Sequence, residues 1–192
     1  MNSSADWVAS LSPWPEVFGL ERMRSLLAEL GDPQLAYPAV HVVGTNGKST
    51  ATRTVEELLR AEGLRVGAYL SPHVTGWGER IRVDGGEADF ERAIARVRPH
   101  AEGATQFEVL TAAALAEFAA AEVDAAVVEA GLGGRLDATN VLAARVVLLT
   151  NVALEHTAVL GETREAIAAE KLAVVAPGAT AVLPDREFDG LV

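Results

Sequence analysis

Residues Val40 to Thr50 read VHVVGTNGKST, an apolar run that breaks into a Gly-Thr-Asn-Gly-Lys turn and opens directly into a helix. That order constrains the fold more than any other feature of the chain. The apolar run suits a buried parallel strand, and Gly44 and Gly47 permit a tight turn with close approach of backbone to ligand. Amides at the start of the helix would then face phosphate oxygens. Lys48 would reach the outer phosphates, and a hydroxyl of Ser49 or Thr50 would face magnesium. The GxxGK[ST] spacing is shorter than the common GxxxxGK[ST] loop, and a plain strand-to-helix turn is the competing reading. Against it, 14 of the 16 basic residues are arginine, leaving Lys48 and Lys171 as the only lysines. A chain that otherwise relies on arginine has placed a lysine inside a glycine-rich turn.

The surrounding pattern is that of an α/β domain over residues 1–192: a parallel sheet with helices on both faces. Spacing predicts helices over 16–30, 49–62, 90–97, 108–121 and 162–172, the second with Val55, Leu58 and Leu59 on one face. Strands are predicted over 38–43, 65–70, 79–84, 123–129, 145–150 and 179–183, several of them continuously apolar, as strands covered on both faces are. Ligands of such sheets sit beyond the carboxyl ends of the strands. Four polar or glycine-rich segments fall there: Gly44–Lys48, Ser71–His73, Glu129–Gly134 and Asn151–His156.

Composition narrows the function. The formal charge of −11 argues against a general nucleic-acid surface, which needs a basic face. It leaves room for a small anionic ligand held by local charge, helix termini and metal ions. The chain has no cysteine, hence no disulfide, thiolate metal site or cysteine nucleophile. No run approaches the roughly 18 apolar residues of a membrane span, and the N-terminus lacks a signal-peptide pattern, so a cytoplasmic location without membrane partners is expected.

Glu129 ends an apolar strand and precedes AGLGGRLDATN. A carboxylate there can hold magnesium opposite the phosphates, and Ser71 can offer its hydroxyl to the same ion. A solvated or capping glutamate is the plainer reading. His156 can ligate a second metal or orient a substrate carboxylate, although a lone histidine is more often structural. Lys171 becomes a metal ligand only if carbamylated; otherwise it is a lysine near a helix C-terminus, favoured by the dipole. His41, His73 and His100 have no comparable setting.

Five segments together carry a family resemblance: GTNGKST, SPH followed by ERIRV, TQFEVLTAAAL, EAGLGGRLDATN and TNVALEHTAVLGETREAIAAEK. In this order they resemble the folylpolyglutamate synthase/dihydrofolate synthase family of the Mur ligase superfamily, over roughly residues 14–184. The resemblance implies a P-loop, Mur-ligase-like central domain that uses ATP and two magnesium ions. Gly44, Thr45, Asn46, Gly47, Lys48, Ser49 and Thr50 would cradle the phosphates. Ser71 and Glu129 would bind the first magnesium, and His156 the second with a carbamylated Lys171. Lys48, His156 and Lys171 would act in catalysis. Thr105, Gln106, Phe107 and Glu108, with Leu136, Asp137 and Ala138, would contact the pterin-bearing substrate, and Arg80 would lie near the same pocket. The implied reaction joins L-glutamate to dihydropteroate or a folate through an acyl phosphate.

Three departures qualify this expectation. The loop reads GKST where the family usually reads GKGS, which is closer to the Mur ligases of cell-wall synthesis. Glu155 precedes His156 where the family usually has aspartate. The family is about twice as long, so the chain is expected to be truncated, lacking a C-terminal domain. A Mur ligase for a cell-wall precursor, or an inactive nucleotide-binding module, are the alternatives.

Overall fold

The computed structural model describes residues 3–192. Its elements run α1 (Ser4–Ser10), α2 (Glu21–Glu29), β1 (Ala39–Val43), α3 (Lys48–Ala61), β2 (Val66–Tyr69), β3 (Ile81–Val83), β4 (Gly86–Glu87), α4 (Phe90–Val97), α5 (Gln106–Ala120), β5 (Ala125–Glu129), β6 (Ala144–Leu149), α6 (Thr157–Leu160), α7 (Arg164–Leu172) and β7 (Thr180–Val182). Seven strands form one sheet in the order β4-β3-β2-β5-β1-β6-β7. β2, β5, β1, β6 and β7 are parallel. β3 and β4 add an antiparallel edge to the expected parallel sheet. The Asp84-Gly85 reversal joins β3 to β4, because both residues adopt positive φ and bring the chain straight back.

The two faces are covered unequally. Alternation along β1 sends Ala39 and Val43 into a large core with residues of α2, α4, α5 and α7. Val42 goes to a small cluster with Val66 and Val127, packed by Val55 and Leu59 of α3. Leu58, expected on that buried face, is 62% exposed. In its place Glu56 is buried, accepting from Arg82 Nε at 3.2 Å, and this pair ties α3 to β3. Along α5, Glu108 to Phe118 are buried without interruption, as suits a helix apolar all round and enclosed by sheet and neighbouring helices.

The first predicted helix is shorter than its periodicity suggests. Val17 and Phe18 are exposed at 73% and 43%, and regular helix begins only at Glu21. Residues 12–19 instead run irregularly, with Trp14 and Phe18 on the wall of a cavity. Because β5 lies between β1 and β2, the loops after β1, β2, β5 and β6 are neighbours at one end of the sheet.

Candidate active site

Gly44 leaves β1 at φ +145° and Gly47 caps α3 at φ +77°, both conformations that L side chains rarely adopt. A Cβ on Gly44 would also meet Thr150 Oγ1 at 1.9 Å. The loop is stitched to the end of β6. Thr45 N donates to Asn151 O at 3.0 Å, Asn46 N to Asn151 Oδ1 at 3.1 Å, and Ala153 N to Thr45 Oγ1 at 3.1 Å. Two of the expected phosphate-facing amides, those of Thr45 and Asn46, are therefore committed to Asn151, a residue that sequence reasoning had not singled out. The amides of Gly47, Lys48 and Ser49 lie at the open N-terminus of a 14-residue helix, where intrahelical acceptors run out.

Lys48 folds over this loop, donating from Nζ to Gly44 O at 3.0 Å and Thr45 O at 3.2 Å. Lys171, 1% exposed, reaches the same Gly44 oxygen at 2.9 Å from α7 and pairs with Glu155 Oε1 at 2.8 Å. Lys171 lies in the last turn of α7, as expected, and is also a buried cation under the Gly44 loop. Burial lowers its pKa, opposed by Glu155. Burial would raise Glu155, yet the Lys171 hydrogen bond and charge hold it below its ordinary value.

Glu129, 1% exposed at the end of β5, accepts from Ser49 Oγ at 3.0 Å and from the backbone amide of Ser71 at 3.1 Å. Ser49 rather than Thr50 is thus the loop hydroxyl beside the carboxylate, and the Ser71 amide donates to the same carboxylate, which brings Ser71 to the place expected of it. Burial pushes the Glu129 carboxyl up, resisted by those two donors and by Lys48. Magnesium takes one or two carboxylates and completes its shell with phosphates and water, so Glu129 and Ser49 suit the first expected ion. For the second expected ion, Lys171 Nζ, unmodified, donates to Gly44 O and Glu155 and has no lone pair to offer; the expected ligand is its carbamylated form. His156 is exposed, at φ +44° before α6, and no group of three or more His, Asp or Glu side chains gathers among the described residues.

Beside this centre is a cavity of about 570 Å³. It gathers Ser71, Arg80, Thr105 to Glu108, Leu136 to Ala138 and His156, which lie far apart in sequence. A shallower groove of about 860 Å³ runs along the outer side of α3 and touches only Ser49 and Thr50 of the expected residues. The polar residues of the TQFE segment serve the fold. Thr105 Oγ1 accepts from Glu108 N at 3.3 Å and Glu108 Oε2 from Thr105 N at 2.8 Å, a capping box at the start of α5. Arg22 also pairs with Glu108 at 3.2 Å. Gln106 Nε2 donates to Val8 O at 3.1 Å. Phe107 presents its ring to Gly131, where an added Cβ would meet Cζ at 2.6 Å.

Asp137 is likewise engaged. Oδ2 accepts from Leu132 N at 2.8 Å; Oδ1 accepts from Thr139 N at 3.0 Å and from the Thr139 hydroxyl. Thr139 Oγ1 in turn lies 2.8 Å from His41 Nε2. Because the Thr139 proton points to Asp137, the imidazole is the donor here. Burial lowers His41 to about 4 and keeps it neutral. Burial raises Asp137, opposed chiefly by Thr139. At the rim, Arg80 Nε donates to His73 Nδ1 at 3.0 Å, and its guanidinium lies 5.2 Å from the Trp77 ring centroid. Burial and Arg80 lower the His73 pKa.

Residues 42–187 match the family model described as the Mur ligase middle domain. The chain belongs to this family. It is 41% identical over 184 residues to the dihydrofolate synthase/folylpolyglutamate synthase of Escherichia coli, covering 91% of this chain and 42% of that protein. It is 40% identical over 169 residues to the folylpolyglutamate synthase of Lacticaseibacillus casei, covering 82% of this chain and 40% of the relative. Among solved structures, E. coli FolC in complex with DHPP and ADP superposes with a TM-score of 0.90 at 38% identity, over 97% of this chain and 47% of that one. The chain thus spans less than half the length of these relatives. This Mur ligase middle domain shares the mostly parallel sheet of that structure neighbour.

Proposed function

We propose that this chain supplies the nucleotide site and the acyl-substrate cavity of an ATP-dependent ligase that joins L-glutamate to dihydropteroate or a folate. One contact carries the reading: Ser71 lines the cavity while its amide binds Glu129, which also takes Ser49 of the phosphate loop. A carboxylate at the cavity mouth and the outer phosphate of ATP would meet across that shared wall. The relatives support it, since they are folate-type synthases, and one neighbour is a complex with DHPP and ADP.

In the first step the substrate carboxylate attacks the γ-phosphate, giving an acyl phosphate and ADP. In the second the amine of L-glutamate attacks the acyl carbon, inorganic phosphate leaves and the amide forms. The α3 amides and Lys48 offset charge on the transferring group. Ser49 and Glu129 would hold magnesium, which supplies further charge neutralisation when bound. Phe107, Leu136 and Ala138 wall the ring system; Thr105, Glu108 and Asp137 keep that wall in shape. Arg80, buried without a carboxylate partner among the described residues, faces the substrate carboxylate, and His156 stands at the same rim. Lys171 sets the phosphate loop. A cytoplasmic location accords with the absence, among the described residues, of a helix long and apolar enough to cross a membrane.

The test is glutamate-dependent phosphate release from ATP with dihydropteroate, with a reduced folate, and with a UDP-muramoyl substrate. Turnover with the last alone would replace the folate reading. A second reading has its own support: because the chain spans 42% of a full-length relative, it can be a nucleotide-binding portion without turnover by itself. ADP binding with no turnover on any substrate would favour that.

A further inference from the structure

We propose that His73 is a positioning residue that fixes the direction in which Arg80 meets a carboxylate, and thereby gives the cavity its preference for acids. The proposal rests on the ligase reading above and goes beyond it in assigning the source of that preference.

Among the described residues, three cationic side chains are buried: Arg80, Arg82 and Lys171. Arg82 pairs with Glu56 and Lys171 with Glu155, whereas Arg80, 8% exposed, has no carboxylate within ion-pair distance. A desolvated guanidinium in this state is an unfilled anion site. Arg80 lies on the cavity wall with Ser71, Pro72 and Phe107, so its open side faces the occupant of the cavity.

His73 decides which side is open. Its Nδ1 accepts from Arg80 Nε at 3.0 Å, and its ring packs on Trp77 with centroids 4.4 Å apart. Trp77 also lies against the guanidinium, and the Tyr69 hydroxyl is hydrogen-bonded to it from the core side. A guanidinium can offer a carboxylate either the edge formed by Nε and one terminal nitrogen or the end formed by both terminal nitrogens. With Nε committed to His73, the edge that includes Nε is closed, and a carboxylate meets the guanidinium through its terminal nitrogens. The imidazole makes no contact with the cavity itself; it acts through Arg80.

The experiment is calorimetric titration of the full chain with dihydropteroate and with its neutral primary carboxamide. L-glutamate is titrated separately to distinguish the second source of a carboxylate, and ADP is a control for the phosphate loop. The wild type is expected to bind the acid about tenfold more tightly than the amide, the size of one charge-assisted pair. His73→Phe, which keeps a ring on Trp77 and loses the acceptor, should bring that ratio close to one. Its affinities for the amide and ADP should be unchanged. His73→Asn, whose Oδ1 can replace Nδ1, should retain most of the ratio. Should His73→Phe lose its cooperative thermal transition, His73→Leu serves as the acceptor-free variant. A wild-type ratio in the acceptor-free variant overturns the positioning role. If Arg80→Ala also keeps the ratio, or the wild type has none, the Arg80 assignment falls with it. Loss confined to L-glutamate binding would overturn the aryl-acid assignment.

Discussion

Lys48 and Lys171, the only two lysines, donate to a single oxygen, the carbonyl of Gly44, at 3.0 and 2.9 Å. One approaches from the first turn of α3 and the other from α7, so the peptide that begins the glycine-rich loop is held from both sides. A carbonyl oxygen has two lone pairs, and both are used. Glu155 balances the buried member of the pair.

The two lysines should separate in their effects. Lys171→Met removes a buried cation and leaves Glu155, itself partly exposed, without its partner, so a loss of about 1–3 kcal/mol is expected. ADP affinity should fall as the loop loosens. Lys48→Ala should abolish ATP-dependent phosphate release while stability stays within about 1 kcal/mol of wild type. Urea unfolding and nucleotide titration of both variants decide this; a Lys171→Met protein as stable as wild type would refute the support role.

Gly134 shows how tightly α7 is set against the GLGGRLDATN loop. An added Cβ would meet the carbonyl oxygens of Glu170 and Lys171, both at 2.6 Å, and backbone atoms cannot swing aside. Gly134→Ala should cost about 2–4 kcal/mol and displace Lys171 from Gly44. Gly76→Ala, where the added atom meets nothing within 4 Å and φ is −165°, is the control and should be close to neutral. Equal melting of the two variants would count against the clash.

Thr105 caps α5: its side-chain oxygen accepts from Glu108 N, and its hydroxyl proton stays available. Thr105→Ala should destabilise by about 1 kcal/mol, with Thr105→Ser recovering most of it. ADP affinity should not change. Unchanged stability together with a large loss of dihydropteroate binding would mean that the hydroxyl contacts substrate directly.

His41 should give the protein an acid-sensitive component of stability. The folded imidazole stays neutral down to about 4, whereas the unfolded chain takes up the proton near 6.5. Between these values the unfolded state holds more protons, so stability falls as pH falls through this window, by roughly 3 kcal/mol if the whole difference is realised. Asp137 and Glu129 oppose this, because burial raises their pKa values and lets the folded state take up protons on acidification. The measurement is therefore a difference. His41→Gln keeps a donor toward Thr139 and does not titrate, so its urea-derived stability should fall less than wild type between pH 7 and 4.5. Parallel curves would exclude His41 as the source.

Much of this site was legible in the chain. Gly44, Gly47 and Lys48 mark the glycine-rich loop because each meets a local demand: positive φ, close approach and a cation over the turn. Of the segments expected beyond the strand carboxyl ends, those at Ser71–His73, Glu129–Gly134 and Asn151–His156 contribute lining residues to one cavity, joined there by Phe107 and Leu136, while Gly44–Lys48 lies beside it. Partnerships were not legible. Nothing local marks Asn151 as the residue that takes two loop amides, or Glu155 as the counterion of Lys171, since each contact joins residues brought together by separate strands and helices. Thr105 and Glu108 do match a capping-box spacing, a signal that their fit to a substrate motif concealed.

The sequence by itself determined the alternation of strands and helices, the glycine-rich turn after β1 and the family, because periodicity, glycine placement and motif order are properties of neighbouring residues. Tertiary structure decided which groups are available for chemistry. It engaged Thr45, Asn46, Thr105, Glu108 and Asp137 in contacts that hold the scaffold, set Ser49 against Glu129, and buried Arg80 beside His73 without a carboxylate partner among the described residues. Availability depends on where every other donor and acceptor lies, and that is settled only when the sheet brings distant loops to one edge.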